Sequence, residues 1–180
     1  MDSRIKGGLA GALGGLVGTL AMNYAQRLWT LAADGYPPKS AAGKHDARDW
    51  QERTEQQNSN ELAAQTIAHG ILGRPLTHSE LSMAAAAVHF SFGAAVGAVY
   101  GAYVHNRSAM PSGVALGIAL WLAADEIAMP VLGLSHSTAD RPAEAHVQSL
   151  VSHLVYGVVA EYVRRTILSY GASSDATVAR

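Results

Sequence analysis

The chain reads as an all-α polytopic membrane protein, a bundle of four transmembrane helices with an extracytoplasmic segment, part helical and part irregular, between the first and second. Three observations predict this. Charged residues crowd into the first six positions, Asp34–Glu80, the turn at Arg107, Ser135–Glu144 and the tail. Four long stretches between them are nearly free of charge. Those stretches draw their apolar character from Gly and Ala as much as from Leu and Ile, so the overall 49% apolar content conceals them.

The first span, Gly7–Trp29, is about 23 residues, or roughly 34 Å as a helix, enough for a hydrocarbon core of about 30 Å. It is too long for a secretory signal peptide and has no clear small-residue cleavage site, so it is expected to be retained. The single membrane domain continues with spans at Met83–His105, Ser112–Gly133 and Val147–Leu168, and residues 30–82 form the extracytoplasmic segment. Within that segment Gly35, Pro37, Pro38 and Gly43 predict a turn over Asp34–Lys44. Helical patterning returns from Asp46 to about Gly73, as expected of a helix on the outer surface or docked on the bundle. Thr77-His78-Ser79-Glu80 has the form of a capping box at the start of the second span.

Orientation follows from the short connections. Arg4 and Lys6 precede the first span, Arg107 lies between the second and third, and Arg164 and Arg165 close the fourth, which puts both termini in the cytoplasm. The long segment carries Lys39, Lys44, Arg48, Arg53 and Arg74 against the rule, but long loops count less.

Small residues recur four apart along the spans. Gly7, Gly11 and Gly15 do so on the first span, and so do Gly14 and Gly18; Gly93, Gly97 and Gly101 do so on the second, and Gly113 and Gly117 on the third. This spacing lets backbones approach where van der Waals packing drives association, and it also suits self-association or contact with another membrane protein. None of these glycines follows a strand and opens a helix as in a dinucleotide fingerprint.

Polar residues inside the spans share a depth. With the N-terminus inside, His89, Asp125, Glu126, His146 and His153 all fall in the outer half, with Asn23 near the same layer. A central Asp costs about 2.5 to 3.5 kcal/mol on insertion scales, so such residues face the bundle interior, a partner or water. Successive helical residues differ by about 100°, so one of Asp125 and Glu126 is expected to be the buried acid while the other turns to a neighbouring helix or the headgroups. Pro130, one turn later, removes an amide and is expected to bend or end the helix. On the fourth span His146, His153, Gly157 and Glu161 lie along one face. Glu161, Arg164 and Arg165 predict an ion pair one turn apart and an anchor at the inner interface through phosphate contacts.

Three functions fit these residues. The first is a non-enzymatic membrane protein whose outer-half cluster handles protons or a small polar solute. The second is a redox or membrane-enzyme subunit with haem or a transition metal held by His89 and His153. The third is a structural or assembly subunit. No cofactor is fixed by a diagnostic spacing, and the absence of cysteine removes thiolate sites and disulfides. No Gly-x-Ser-x-Gly turn, His-Glu-x-x-His motif, Walker loop or basic stripe occurs, which argues against a catalytic nucleophile and against nucleic acid as a partner; the lipid bilayer is the partner the composition predicts.

His89-Phe90-Ser91-Phe92-Gly93, Trp121 followed by Met129-Pro130-Val131-Leu132-Gly133, and His153-Leu154-Val155-Tyr156-Gly157 leading to Glu161 and Arg164-Arg165 together resemble the YagU-like inner-membrane proteins of unknown function. The resemblance covers the second to fourth spans. It implies a helical protein of the bacterial inner membrane and no particular activity, substrate or cofactor. That family's pattern has a histidine before the Met-Pro step, where this chain has Asp125-Glu126.

Overall fold

A computed structural model describes residues 2–34, 61–104, 109–128, 131 and 143–178, and among these every element is helical. Helix α1 is Ser3–Asp34, α2 is 61–72, α3 is His78–Tyr103, α4 is Ala109–Trp121 running into a π-helical segment at Leu122–Ala128, and α5 is Ala143–Val178. The turn expected over Asp34–Lys44 and the connections around Arg107 and Arg141 lie outside the described residues.

Local chemistry sets several helix ends. Asp2 accepts the Arg4 N–H at 3.0 Å and so starts α1. Helix α2 stops at Gly73, whose φ of 67° is open to glycine and whose N–H reaches the His69 carbonyl at 3.0 Å, a left-handed C-terminal cap. Glu80 then accepts the Thr77 N–H at 2.8 Å, the reciprocal arm of the capping box that opens α3. The same carboxylate pairs with Arg74 at 2.8 Å on the surface, and this raises the Arg74 guanidinium above its ordinary value.

Helix α1 packs on α3 on one side and on α5 on the other, and α5 packs on α4. The register comes from glycines. Gly7 lies on Gly101, Gly11 on Gly97 and Gly15 on Gly93, so α1 and α3 are antiparallel. Gly14 lies on Ala160 and Gly18 on Tyr156, so α1 and α5 are antiparallel as well. Gly113 meets Gly157 and Gly117 meets His153, which makes α4 and α5 antiparallel. At each of these positions a Cβ would fall on backbone of the facing helix; at Gly113 it would stand 2.9 Å from the Gly157 carbonyl oxygen. Only a missing side chain permits that approach.

Burial is inverted relative to a water-soluble bundle. Leu9, Leu13, Leu20, Leu31, Phe92, Val99 and Ile127 are exposed, while Thr19, Ser149, Ser152, His153, Glu161 and Arg164 are buried. Three helical stretches, Ser3–Ala32, His78–Tyr103 and Pro111–Ala128, are long and apolar enough to cross a membrane. Helix α5 is not among them; its polar residues include Ser149, Ser152, His153, Glu161 and Arg164, which it turns inward.

Candidate functional site

The cluster forms where the π-helical end of α4 meets the first turns of α5. In a π turn the angular step per residue is smaller than in an α-helix, so neighbouring side chains diverge less. Asp125 and Glu126 both reach α5, so of the two directions expected for the second acid, a neighbouring helix or the headgroups, it takes the helix. Each has a side chain about nine-tenths buried, at 12% and 11% exposure. The π segment ends just before Pro130, whose missing N–H removes one rung of α-helical bonding; Pro130 itself lies outside the described residues.

On α5, His146, Ser149 and His153 sit three and four residues apart and share a face. Glu126 Oε1 pairs with His146 Nδ1 at 2.8 Å. Ser149 donates its hydroxyl to Asp125 Oδ2. His153 Nδ1 lies 2.9 Å from the Ser149 carbonyl, which can only accept, so this nitrogen carries the hydrogen. In the neutral ring Nε2 is therefore the basic atom, and it faces Asp125 Oδ1 at 3.9 Å. The result is two carboxylate–imidazole pairs on successive levels of α5, with Ser149 bracing the lower acid.

His89, on α3, is half-buried with its ring centroid 6.3 Å from that of Phe90, within electrostatic reach of His153 and Asp125. Asn23 is half-buried on α1. Four of the five candidate residues thus meet in direct pairs across α4 and α5, and His89 flanks them. Ser149 was not singled out for this site by the sequence, although its place between His146 and His153 on one helical face is a usable signal. Tyr156, one turn beyond His153, is 1% exposed and donates its hydroxyl to the Gly93 carbonyl at 2.7 Å, tying α5 to α3.

The order of groups bears on the chemistry. In a Ser-His-Asp triad the imidazole stands between hydroxyl and carboxylate so that it can take the hydroxyl proton. Here the hydroxyl stands between and gives its hydrogen to the carboxylate, which leaves Ser149 a brace for Asp125. Among the described residues no three His, Cys, Asp or Glu side chains come together as a metal-binding group.

Glu161 lies two turns past His153 at 1% exposure. It accepts Arg164 Nε at 2.7 Å and Nη2 at 2.9 Å, a forked pair, and Arg165 Nε at 2.5 Å. Glu161 and Arg164 are inside the bundle, and Arg165 is at its margin with a side chain 36% exposed. The Arg164 guanidinium also lies 5.7 Å from the centre of the Tyr100 ring.

Apolar helices of membrane-crossing length, with lipid-like side chains outward and ionisable groups inward, have the character of a membrane protein. The chain belongs to a family described as protein of unknown function (DUF1440), whose model matches residues 52–162, more than half of its length. That match includes α2, α3, α4 and the part of α5 that carries His146, Ser149 and His153; it takes in Glu161 and stops short of Arg164 and Arg165. No curated protein and no solved structure matches the chain.

Proposed function

We propose that this chain is a non-enzymatic, four-span protein of the bacterial inner membrane, with both termini cytoplasmic, and that Asp125, Glu126, His146, Ser149 and His153, flanked by His89, take up and pass protons in the outer half of the bilayer. The observation that carries this is the pairing of two imidazoles with two carboxylates across α4 and α5, inside a bundle whose outer surface is apolar. Glu126 and His146, at 2.8 Å, can share one proton between an acid and a base, Asp125 and His153, at 3.9 Å, would exchange one only on closer approach, and ionisable groups held inside a membrane are the usual components of proton relays. The fixed tautomer of His153 supports it further by presenting Nε2 to Asp125.

The fourth span is α5. Support for it comes from its antiparallel registers with α1 and α4 and from its inward polar face. Orientation rests on Arg4, Lys6, Arg107, Arg164 and Arg165, and placement in a bacterial inner membrane on the resemblance to the YagU-like proteins. Gly11, Gly15, Gly93, Gly97, Gly101, Gly113 and Gly117 all meet helices of the same chain, so a second copy or another membrane protein would dock on the exposed side chains and not on the glycine faces.

The test is proton flux in liposomes holding the purified protein and an internal pH dye. Asp125→Asn/Glu126→Gln and His153→Ala are expected to abolish a protein-dependent flux. If they conduct as the unaltered chain does, or if no flux depends on the protein, proton relay is wrong.

A further inference from the structure

The second polar cluster is a built site with an unmet requirement. One carboxylate, Glu161, faces two guanidiniums, Arg164 and Arg165, so the group carries one positive charge in excess. Arg164 is 5% exposed and Glu161 1%, so solvent reaches the group only through Arg165, whose side chain is 36% exposed. Arg165 Nη2 is buried and has no hydrogen-bond partner among the described residues. The Tyr100 hydroxyl is buried too, beside Glu161 and Ser112 without meeting hydrogen-bond geometry to either. A buried donor left unmatched costs about 1 to 3 kcal/mol, more when it is charged, so two of them beside an uncompensated cation call for an acceptor that bears negative charge.

The fold supplies a further positive element at this level. Helix α4 begins at Ala109, and Ser112, in its first turn, is the residue beside Tyr100. Pro111 has no N–H, so the first turn offers at most the amides of Ala109, Met110 and Ser112, and the helix dipole adds partial positive charge there. Helix α3 ends at Tyr103 at the same end of the bundle, whereas α5 continues to Val178. Arg165, at 36% exposure, is the side from which a ligand can enter.

We propose that Arg164, Arg165, Tyr100, Ser112 and the first turn of α4 bind one phosphate group, either the phosphodiester of an anionic lipid headgroup or free phosphate. A phosphate accepts several hydrogen bonds at once, matches the fork of a guanidinium and supplies the missing negative charge. Glu161 holds the two arginines in place and sets the net charge so that one singly charged phosphodiester neutralises the group. A basic pocket between helices at the cytoplasmic end of a membrane protein is a recurrent headgroup site.

The experiment is native mass spectrometry of the full chain in detergent, titrated with phosphatidylglycerol and, in parallel, with diacylglycerol, which has the same tails and no phosphate. Binding of phosphatidylglycerol is expected to be saturable and about tenfold or more tighter than that of diacylglycerol, and Arg165→Gln is expected to weaken it about tenfold. Inorganic phosphate that displaces the lipid at millimolar concentration identifies free phosphate as an occupant; failure to displace it assigns the site to lipid. Equal binding of the two lipids together with no binding of inorganic phosphate overturns the proposal, as does unchanged affinity in a folded Arg165→Gln protein. Should that variant not fold, the comparison of lipids on the unaltered chain still decides.

Discussion

Gly117→Ala separates close helix contact from mere helix composition. A Cβ at Gly117 would stand 2.6 Å from the His153 carbonyl oxygen, 2.9 Å from Leu154 Cα and 3.0 Å from the His153 carbonyl carbon, all backbone of α5. Ordinary contact begins at 3.4 Å, so α4 and α5 must part by about 0.8 Å. Overpacking of this kind costs about 1 to 3 kcal/mol, against which the better helix propensity of alanine returns about 1 kcal/mol at most. The net expectation is a loss of about 1 to 2 kcal/mol. The same parting is expected to loosen the Glu126–His146 bond, now 2.8 Å, so proton flux should fall with stability. Gly8→Ala is the control: its Cβ would meet Ala98 O at 3.5 Å and Ala102 Cβ at 3.7 Å, so it should be neutral or slightly stabilising. Unfolding in mixed micelles of increasing sodium dodecyl sulfate, followed by tryptophan fluorescence, measures both. Equal midpoints for Gly117→Ala and the unaltered chain would refute the helix separation argued for α4 and α5.

Two further substitutions probe the inward polar face by the same assay. Glu161→Gln leaves the buried Arg164 without its carboxylate and is expected to cost about 3 to 5 kcal/mol, with a large part recovered when Arg164→Gln is added; a loss under 1 kcal/mol, about the value of an exposed pair, would show that the pair is solvated. Tyr156→Phe removes the bond to the Gly93 carbonyl at the crossing of α3 and α5, and a loss of about 1 kcal/mol is expected. No change there would mean that the hydroxyl bond adds nothing beyond ring packing.

What was legible in the sequence is what depends on composition and spacing. Charge-free windows located α1, α3 and α4, and Gly7, Gly11 and Gly15 share a face on α1 because a spacing of four is nearly one helical turn. The common depth of Asp125, Glu126, His146 and His153 followed from counting residues along antiparallel spans. Hydrogen-bond register is a different kind of property. A π segment at Leu122–Ala128 has no compositional mark apart from the proline that follows it, and an ideal 100° step therefore did not show that Asp125 and Glu126 meet the same helix. The ion pair expected of Glu161 with Arg164 and Arg165 forms; what the sequence did not show is that Arg164 turns inward against Tyr100 and that α5 runs on past the pair to Val178.

Helix α5 explains why packing and site are not separable in this protein. Hydropathy ranks it below α1, α3 and α4, yet it is the helix in contact with both α1 and α4. Its inward face carries His146, Ser149, Ser152, His153, Tyr156, Glu161 and Arg164, and polar residues on that face meet proton acceptors and donors in place of lipid. In the proposed four-span arrangement such a helix is tolerated only because Gly14, Gly18, Gly113 and Gly117 let its backbone come close enough for α1 and α4 to shield those groups. A wider spacing would admit lipid or water to the pairs, and either would alter the energy of moving a proton between them. The glycines therefore act on the chemistry through distance alone, and a proton assay on Gly117→Ala reports on the site although the substitution touches none of its side chains.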